Sequence, residues 1–265
     1  NADSVIWENT GSSSNTNYAL QLSGLGHVKV KHITFKGDSS SYSRKIVLGG
    51  AVDSVTIDSS KFLGYQGSST NHISIYGTDI ISTGLKIRNN TFTDAGDYAI
   101  KLYSLSSSTA TGLEITNNTM TNTYGGIYLY YFDGVTIRGN TIKGSYINNG
   151  INLTYCDGAN IIEDNHIYAP DAYYGIFLNY CQATSGSEAT IINNLICVDD
   201  YGIYFNYGNY YQNVYYNTVK VHNNHALYHQ SGSQNNVFKN NIFYSESGTN
   251  APLYVYNTAD FTADY

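Results

Sequence analysis

Apolar residues recur along this chain at two spacings at once. Over short stretches they alternate with other residues: ALQLS from Ala19, KIVLG from Lys45, HISIY from His72, YAIKL from Tyr98, GIYLY from Gly126, GINLT from Gly150, GIFLN from Gly175, GIYFN from Gly202, ALYHQ from Ala226 and PLYVY from Pro252. This alternation is the period-two signature of a strand with one buried face. A second element, apolar–x–x–Asn–x–apolar, lies between them. It reads IRNNTF at Ile87–Phe92, ITNNTM at Ile115–Met120, IRGNTI at Ile137–Ile142, IEDNHI at Ile162–Ile167, IINNLI at Ile191–Ile196, VYYNTV at Val214–Val219 and VFKNNI at Val237–Ile242. Weaker copies stand at Val30–Phe35 and Ile57–Phe62. Helical periodicity is absent, and β-branched and aromatic residues dominate, so the elements predicted are strands throughout.

The repeated Asn residues are Asn90, Asn118, Asn140, Asn165, Asn194, Asn217 and Asn240, at intervals of 22 to 29 residues. A repeat of that length with two or three short strands per period implies a parallel β-solenoid. One coil cannot bury its apolar face alone; stacked coils make a continuous core. The Asn falls at a sharp turn, where it tolerates a left-handed backbone, and stacked Asn side chains form a hydrogen-bonded ladder from coil to coil. The variable intervals are loop insertions at other corners. About nine or ten coils fit, a rod on the order of 45 Å long.

The GI-x-L…G-V-T-I-x-x-N-x-I pattern resembles the pectate-lyase-like superfamily, over nearly the whole chain from Tyr18 onward. The resemblance implies an all-β, single-stranded right-handed parallel β-helix, with residues 1–265 as one domain. The superfamily includes pectate and alginate lyases, polygalacturonases, epimerases, phage tailspikes and bacterial surface proteins, so function has to be argued from a site. Enzymes of this kind bind substrate along the outer face of the first strand of each coil, which the resemblance places at the GIYL-type elements.

The outward residues of those strands run Gln21, Val47, Ser74, Lys101, Tyr128, Asn152, Phe177, Tyr204, Tyr228 and Tyr254. A second row holds Tyr76, Tyr103, Tyr130, Thr154, Asn179, Asn206, Gln230 and Tyr256, and a turn row holds Tyr131, Tyr155, Tyr180 and Tyr207. Aromatic faces stack on sugar rings, and amides bond hydroxyls. Tyr128, Phe177, Tyr204, Tyr228, Tyr131, Tyr155, Tyr180 and Tyr207 are therefore the candidate glycan-binding set. Cross-strand packing alone would also account for them.

For chemistry, a glycosidase needs two carboxylates. Asp133 and Asp157 occupy equivalent positions, each before a Gly, and an Asp-Gly turn used twice explains them. Asp171 and Asp200 each stand six residues past a ladder Asn, with Asp199, Tyr174, Tyr201 and His225 nearby. That corner serves acid–base catalysis through Asp171, Asp199, Asp200 and His225, or calcium binding, or neither if the carboxylates are only solvated. The Asn-Thr-Asp, Gly-His-Gly and Arg-Ile-Lys segments of polygalacturonases and the Asp-Pro-His segment of alginate epimerases are absent. Lys101 is the one basic residue on the proposed face, and no Asp shares its row. His222, His225 and His229 lose their helical metal-site spacing in a strand segment, and no metal site is expected from them. Cys156 and Cys181 fall in adjacent coils, close enough either for a disulfide or for two free thiols; Cys197 is unpaired.

Composition narrows the partners. The chain has 20 acidic and 13 basic residues, a net charge of −7, and no Lys/Arg cluster, which argues against nucleic acid and anionic membranes. No apolar run is long enough to span a membrane. Abundant Tyr, Asn, Ser and Gly suit a secreted or cell-surface location. Asn1 opens the chain, and a piece processed from a larger secreted protein with flanking domains is expected. The reading that follows is a non-catalytic structural or adhesive β-helix, glycan-binding through its tyrosine face and able to stack end to end into homo-oligomers, with no cofactor required. The rival is a polysaccharide lyase or glycoside hydrolase.

Overall fold

In the computed structural model, which describes residues 5–9, 17–37, 43–65, 71–107, 110–145, 147–256 and 261–264, the chain winds through three parallel sheets of ten strands each. Each coil adds one strand to every sheet. First-sheet strands run from Leu20–Ser23 to Leu253–Val255, second-sheet strands from Lys29–Lys31 to Phe261–Asp264, and third-sheet strands from Ile6–Asn9 to Ile242–Ser245. The strand Ile6–Asn9 precedes the first coil, so the strands close nine complete coils. Among the described residues there is no helix.

The interior is built of columns in which like stacks on like. Ile75, Ile100, Ile127, Ile151, Ile176, Ile203 and Leu227 form one, fully buried and in direct register. Phe35, Phe62 and Phe92 begin another, with ring centroids 5.1 and 4.7 Å apart and nearly parallel planes. Each such side chain contributes about 1.5–3 kcal/mol by leaving water, and only its neighbours above and below make that burial complete. The glycine of the GI motif has a steric cause. A Cβ on Gly150 would lie 2.4 Å from the carbonyl oxygen of Gly175, so the start of the first strand admits only the smallest residue there.

The Asn ladder forms, with two differences from the sequence reading. The left-handed residue at the turn is the one before each ladder position: Asn89, Asn117, Gly139, Asp164, Asn193, Tyr216 and Asn240 precede an Asn, His32 and Ser59 precede Ile33 and Ser60, and all have φ between 50° and 65°. The ladder Asn itself is inward and buried, and its amide joins the coils. Asn140 Oδ1 accepts from the Asn118 backbone N–H and from Asn118 Nδ2, both at 3.0 Å, while Asn140 Nδ2 donates to Ile115 O at 2.8 Å and Asn165 Oδ1 at 3.0 Å. The last rung is Asn241, not Asn240: Asn217 bonds Asn241 Oδ1, and Asn240 takes the left-handed place. Val237–Phe238 and Ile242–Phe243 are two adjacent apolar pairs, so alternation alone leaves the register undetermined by one residue.

A second correction concerns the first sheet. Tyr76 pairs with Val47 and Lys101, so it belongs to the first outward row, while Ser74 is wholly buried at the corner before the strand.

Candidate functional site

The outward row of the first sheet runs Val47, Tyr76, Lys101, Tyr128, Asn152, Phe177, Tyr204, Tyr228 and Tyr254. From Phe177 onward the rings stack on one another: Phe177–Tyr204 at 5.6 Å and 19°, Tyr204–Tyr228 at 4.7 Å and 10°, Tyr228–Tyr254 at 5.0 Å and 9°. Asn152 separates this run from Tyr128, which packs with Tyr98 and Tyr103 instead. The turn row forms its own stack, Tyr131–Tyr155 at 5.1 Å and Tyr155–Tyr180 at 5.1 Å, with Tyr207 following at 6.3 Å. Tyr131, Tyr155 and Tyr180 hold φ of 61°, 51° and 52°. This backbone is uncommon for a bulky residue and turns each ring onto its neighbour. All eight aromatic residues singled out in the sequence therefore lie on one side of the rod.

Within these stacks each ring face is covered by the next ring. What the surface offers is ring edges and hydroxyl groups, together with amides: Tyr204 Oη donates to Gln230 Oε1 at 2.9 Å, and Asn206 Nδ2 to Asn179 Oδ1 at 2.9 Å. Burial, reinforced by the neighbouring Tyr228 and Tyr201 hydroxyls, pushes the Tyr204 phenol up to about 12, and burial raises those of Tyr128, Tyr174, Tyr201 and Tyr228 too. These hydroxyls keep their protons, so they serve as hydrogen-bond donors and not as bases. The row opens into a cavity of about 200 Å³ lined by Tyr207, Tyr228, Gln230, Ser231 and Tyr256, where Tyr207 and Tyr256 are well exposed.

The acidic corner does not assemble as counting suggested. Ala169 pairs with Val198 and Tyr174 with Tyr201, so the corner holding Asp171 is longer by two residues and Asp171 does not stack on Asp200. The backbone N–H groups of Asp199 and Asp200 both donate to Ala172 O. Their carboxylates are held by amides of the next coil, Asn223 Nδ2 to Asp199 and Asn224 Nδ2 to Asp200, each at 2.8 Å. His225 is engaged elsewhere: its Nδ1 donates to Ala251 O at 2.6 Å and its ring packs with Tyr228 and Tyr254.

A pairing that the row-by-row reading missed lies beside Tyr98 and Tyr128. Lys101 Nζ is 2.7 Å from Asp97 Oδ2, with side chains 17% and 8% exposed. Arg44 lies 3.8 Å over the Tyr76 ring. Burial raises the Asp97 carboxyl, and Lys101 and Arg44 offset only part of that. Asp97 comes from the corner before the strand, so it shares no row with Lys101; their spacing of four residues was the available signal. Two further amide links between coils were missed as well, on either side of Ala189 in the same column: Val135 N–H bonds Asn160 Oδ1, and Gln212 N–H bonds Asn236 Oδ1.

Cys156 and Cys181 are free, fully buried thiols, raised by desolvation, with Sγ atoms directed to main-chain carbonyls. Asp133 and Asp157 lie opposite each other in adjacent coils, and Asp157 Oδ1 accepts from Gln182 N–H at 2.8 Å, the turn-forming use of the Asp-Gly pair. Among the described residues no group of three or more His, Cys, Asp or Glu is placed to hold a metal ion.

Comparison with known proteins yields two families. The right-handed β-helix region matches residues 1–142, and the family described as periplasmic copper-binding protein (NosD) matches residues 105–259. No curated protein matches significantly. Among solved structures, the catalytic unit of a thermostable GH87 α-1,3-glucanase from Streptomyces thermodiastaticus superposes with a TM-score of 0.70 at 16% identity, over 97% of this chain and 50% of that one. This chain thus spans half the length of that enzyme unit. A double mutant of the periplasmic alginate epimerase AlgG superposes with a TM-score of 0.53 at 13% identity, over 96% of this chain and 80% of that one. At such identities the likeness is one of fold.

Proposed function

The chain belongs to the right-handed β-helix and NosD families, and from that premise we propose that it is a non-catalytic β-helix that binds an extended glycan along its tyrosine face. The observation that carries this reading is the continuous run of stacked rings from Phe177 to Tyr254, which sets one aromatic ring per coil and presents hydroxyls from Tyr204 onward beside neighbouring amides. A rung spacing of about 4.8 Å is close to the length of one sugar unit in an extended chain. A polymer lying along the rod axis therefore meets an aromatic ring at each successive unit, with hydroxyls or amides beside it. The carboxylates of Asp199 and Asp200 are occupied by Asn223 and Asn224, and Asp171 does not stack on them, which favours binding over turnover. The reading puts the domain on the outer side of the cytoplasmic membrane, in line with the periplasmic descriptions of NosD and of the epimerase.

Copper has no part in this reading, because the donors do not fit it. Copper sites draw on Cys, Met and His. Here Cys156, Cys181, Met120 and His229 are buried in the interior, His222 faces Asp199 and Glu246, and Cys197 and the more open histidines join no group of three or more His, Cys, Asp or Glu among the described residues.

The test is retention on immobilised neutral and acidic polysaccharides, with and without calcium, scored alongside release of reducing ends and unsaturated products. Retention without product is expected. The pair Tyr204→Ala and Tyr228→Ala should weaken binding by about thirtyfold, the loss of about 2 kcal/mol typical of a central aromatic contact. Unchanged binding in that variant would reject the tyrosine face.

A second reading, a polysaccharide lyase or hydrolase, is favoured by one observation, the half-buried Asp97–Lys101 pair among Tyr98, Tyr103 and Tyr128. It predicts product from the unmodified protein and its loss in Asp97→Asn, with far-UV circular dichroism unchanged.

A further inference from the structure

The interval from Asn165 to Asn194 is the longest between ladder rungs, 29 residues, and the excess includes a small hairpin beside the second sheet. Thr184 and Ser187 pair antiparallel, and Ser187 N–H donates to Thr184 O at 3.0 Å. Gly186 N–H donates to Glu188 Oε1 at 2.8 Å and fixes the carboxylate at the base of the hairpin. Ala189 pairs with Gln212, and Gln212 N–H bonds Asn236. Glu188, Tyr211 and Asn235 therefore follow one another along the rod at the corner just before the second-sheet strands. Beside them runs the outward row Asn213, Val237 and Thr262. The two rows enclose a groove of about 430 Å³.

We infer that this groove is a second sugar site, separate from the tyrosine face, for an uncharged hexose unit. Three features select that chemistry. The lining holds one carboxylate and no cation, so uronates and phosphates meet repulsion with nothing to offset it. An ionised carboxylate accepts only, with two oxygens, which suits a pair of neighbouring hydroxyls. The amides of Asn213 and Asn235 supply both donors and acceptors, and neither side chain is hydrogen-bonded to another of the described residues. In this they differ from the ladder residues, whose amides are committed to the coils above and below. Val237 and the Tyr211 ring provide the apolar wall for the face of the sugar ring.

The site is tested by amide NMR titration of the whole chain with neutral gluco-oligosaccharides, with oligogalacturonate as the charged comparator. Shifts are expected at Glu188, Tyr211, Asn213 and Asn235 with the neutral sugar and not with oligogalacturonate. Glu188→Gln, a near-isosteric change at a half-buried position, should weaken that binding about tenfold. The Tyr204→Ala, Tyr228→Ala variant should leave it unchanged. Shifts confined to the tyrosine face would overturn this inference while leaving the proposed function standing. Preference for oligogalacturonate in the groove, or indifference to Glu188→Gln, would also overturn it.

Discussion

Replacing Asn140 with alanine is expected to lower stability by about 3–5 kcal/mol, because two buried backbone groups lose their partners at about 1–3 kcal/mol each and the side-chain contacts are lost with them. The Asn118 N–H has Asn140 Oδ1 as its acceptor, and Ile115 O takes its bond from Asn140 Nδ2. Neither can turn to water, since Asn118 and Ile115 are buried. The Asn118 and Asn165 amides keep other partners, Ile87 O and the Asn140 backbone N–H. Asn117 provides the contrast. It is the residue before the ladder Asn118, and it is exposed and holds φ at 55°, a conformation glycine adopts without cost. Asn117→Gly should change stability by less than about 0.5 kcal/mol, as for most surface positions. Urea unfolding of the two variants beside the parent decides the matter. Equal effects would mean that the ladder amides add nothing beyond turn geometry.

That contrast also explains what could be read from the sequence. Asn90 to Asn217 announced themselves because the constraint is local: an inward position two residues before an apolar residue, repeated in every coil. Asn241 was hidden because Val237–Phe238 and Ile242–Phe243 make both registers look apolar, and only the pairing of Phe238 with Val214 selects one. Tyr76 was misplaced for a similar reason, since His72–Tyr76 extends the alternation backward past the corner into buried Ser74. The further amide links at Asn160 and Asn236 follow loops of unequal length and are interrupted by Ala189, so no period exposes them. A different unequal corner, Ala169 to Tyr174 against Val198 to Tyr201, sets Asp171 apart from Asp200. The tyrosine face was legible in full as a set of positions. Its presentation was not, because ring orientation is decided by contacts between coils. Stacking turns edges and hydroxyls outward, where an isolated tyrosine would have offered a face. Lys101 and Asp97 were each visible, but they meet across a corner that separates strand row from turn.

Acidification from pH 7 to pH 4 should remove about 3 kcal/mol of stability through His229 alone, at about 1.4 kcal/mol per unit of pKa difference. His229 is 1% exposed, packed by Phe205 and Phe238, and its Nε2 accepts from Asn236 Nδ2 at 3.0 Å. Burial lowers its pKa from 6.5 to about 4. The unfolded chain takes up a proton as the pH falls through 6.5, whereas the native chain resists until about 4. Between those values the unfolded state binds more protons, so stability declines as the pH falls; below about 4 both states are charged and this contribution declines no further. His229→Phe keeps the volume and leaves Asn236 its bond to Asn209 O at 3.0 Å. Carboxylates titrate alike in both proteins, so the difference between their urea midpoints across this range isolates the histidine. A parent and variant that lose stability in parallel would show that His229 is protonated in the folded chain. Because each coil contacts only its neighbours, the loss should centre on the coils around Phe205 to Phe238. Hydrogen exchange at pH 4.5 should find those amides opening before those of the coils around Phe35, Phe62 and Phe92.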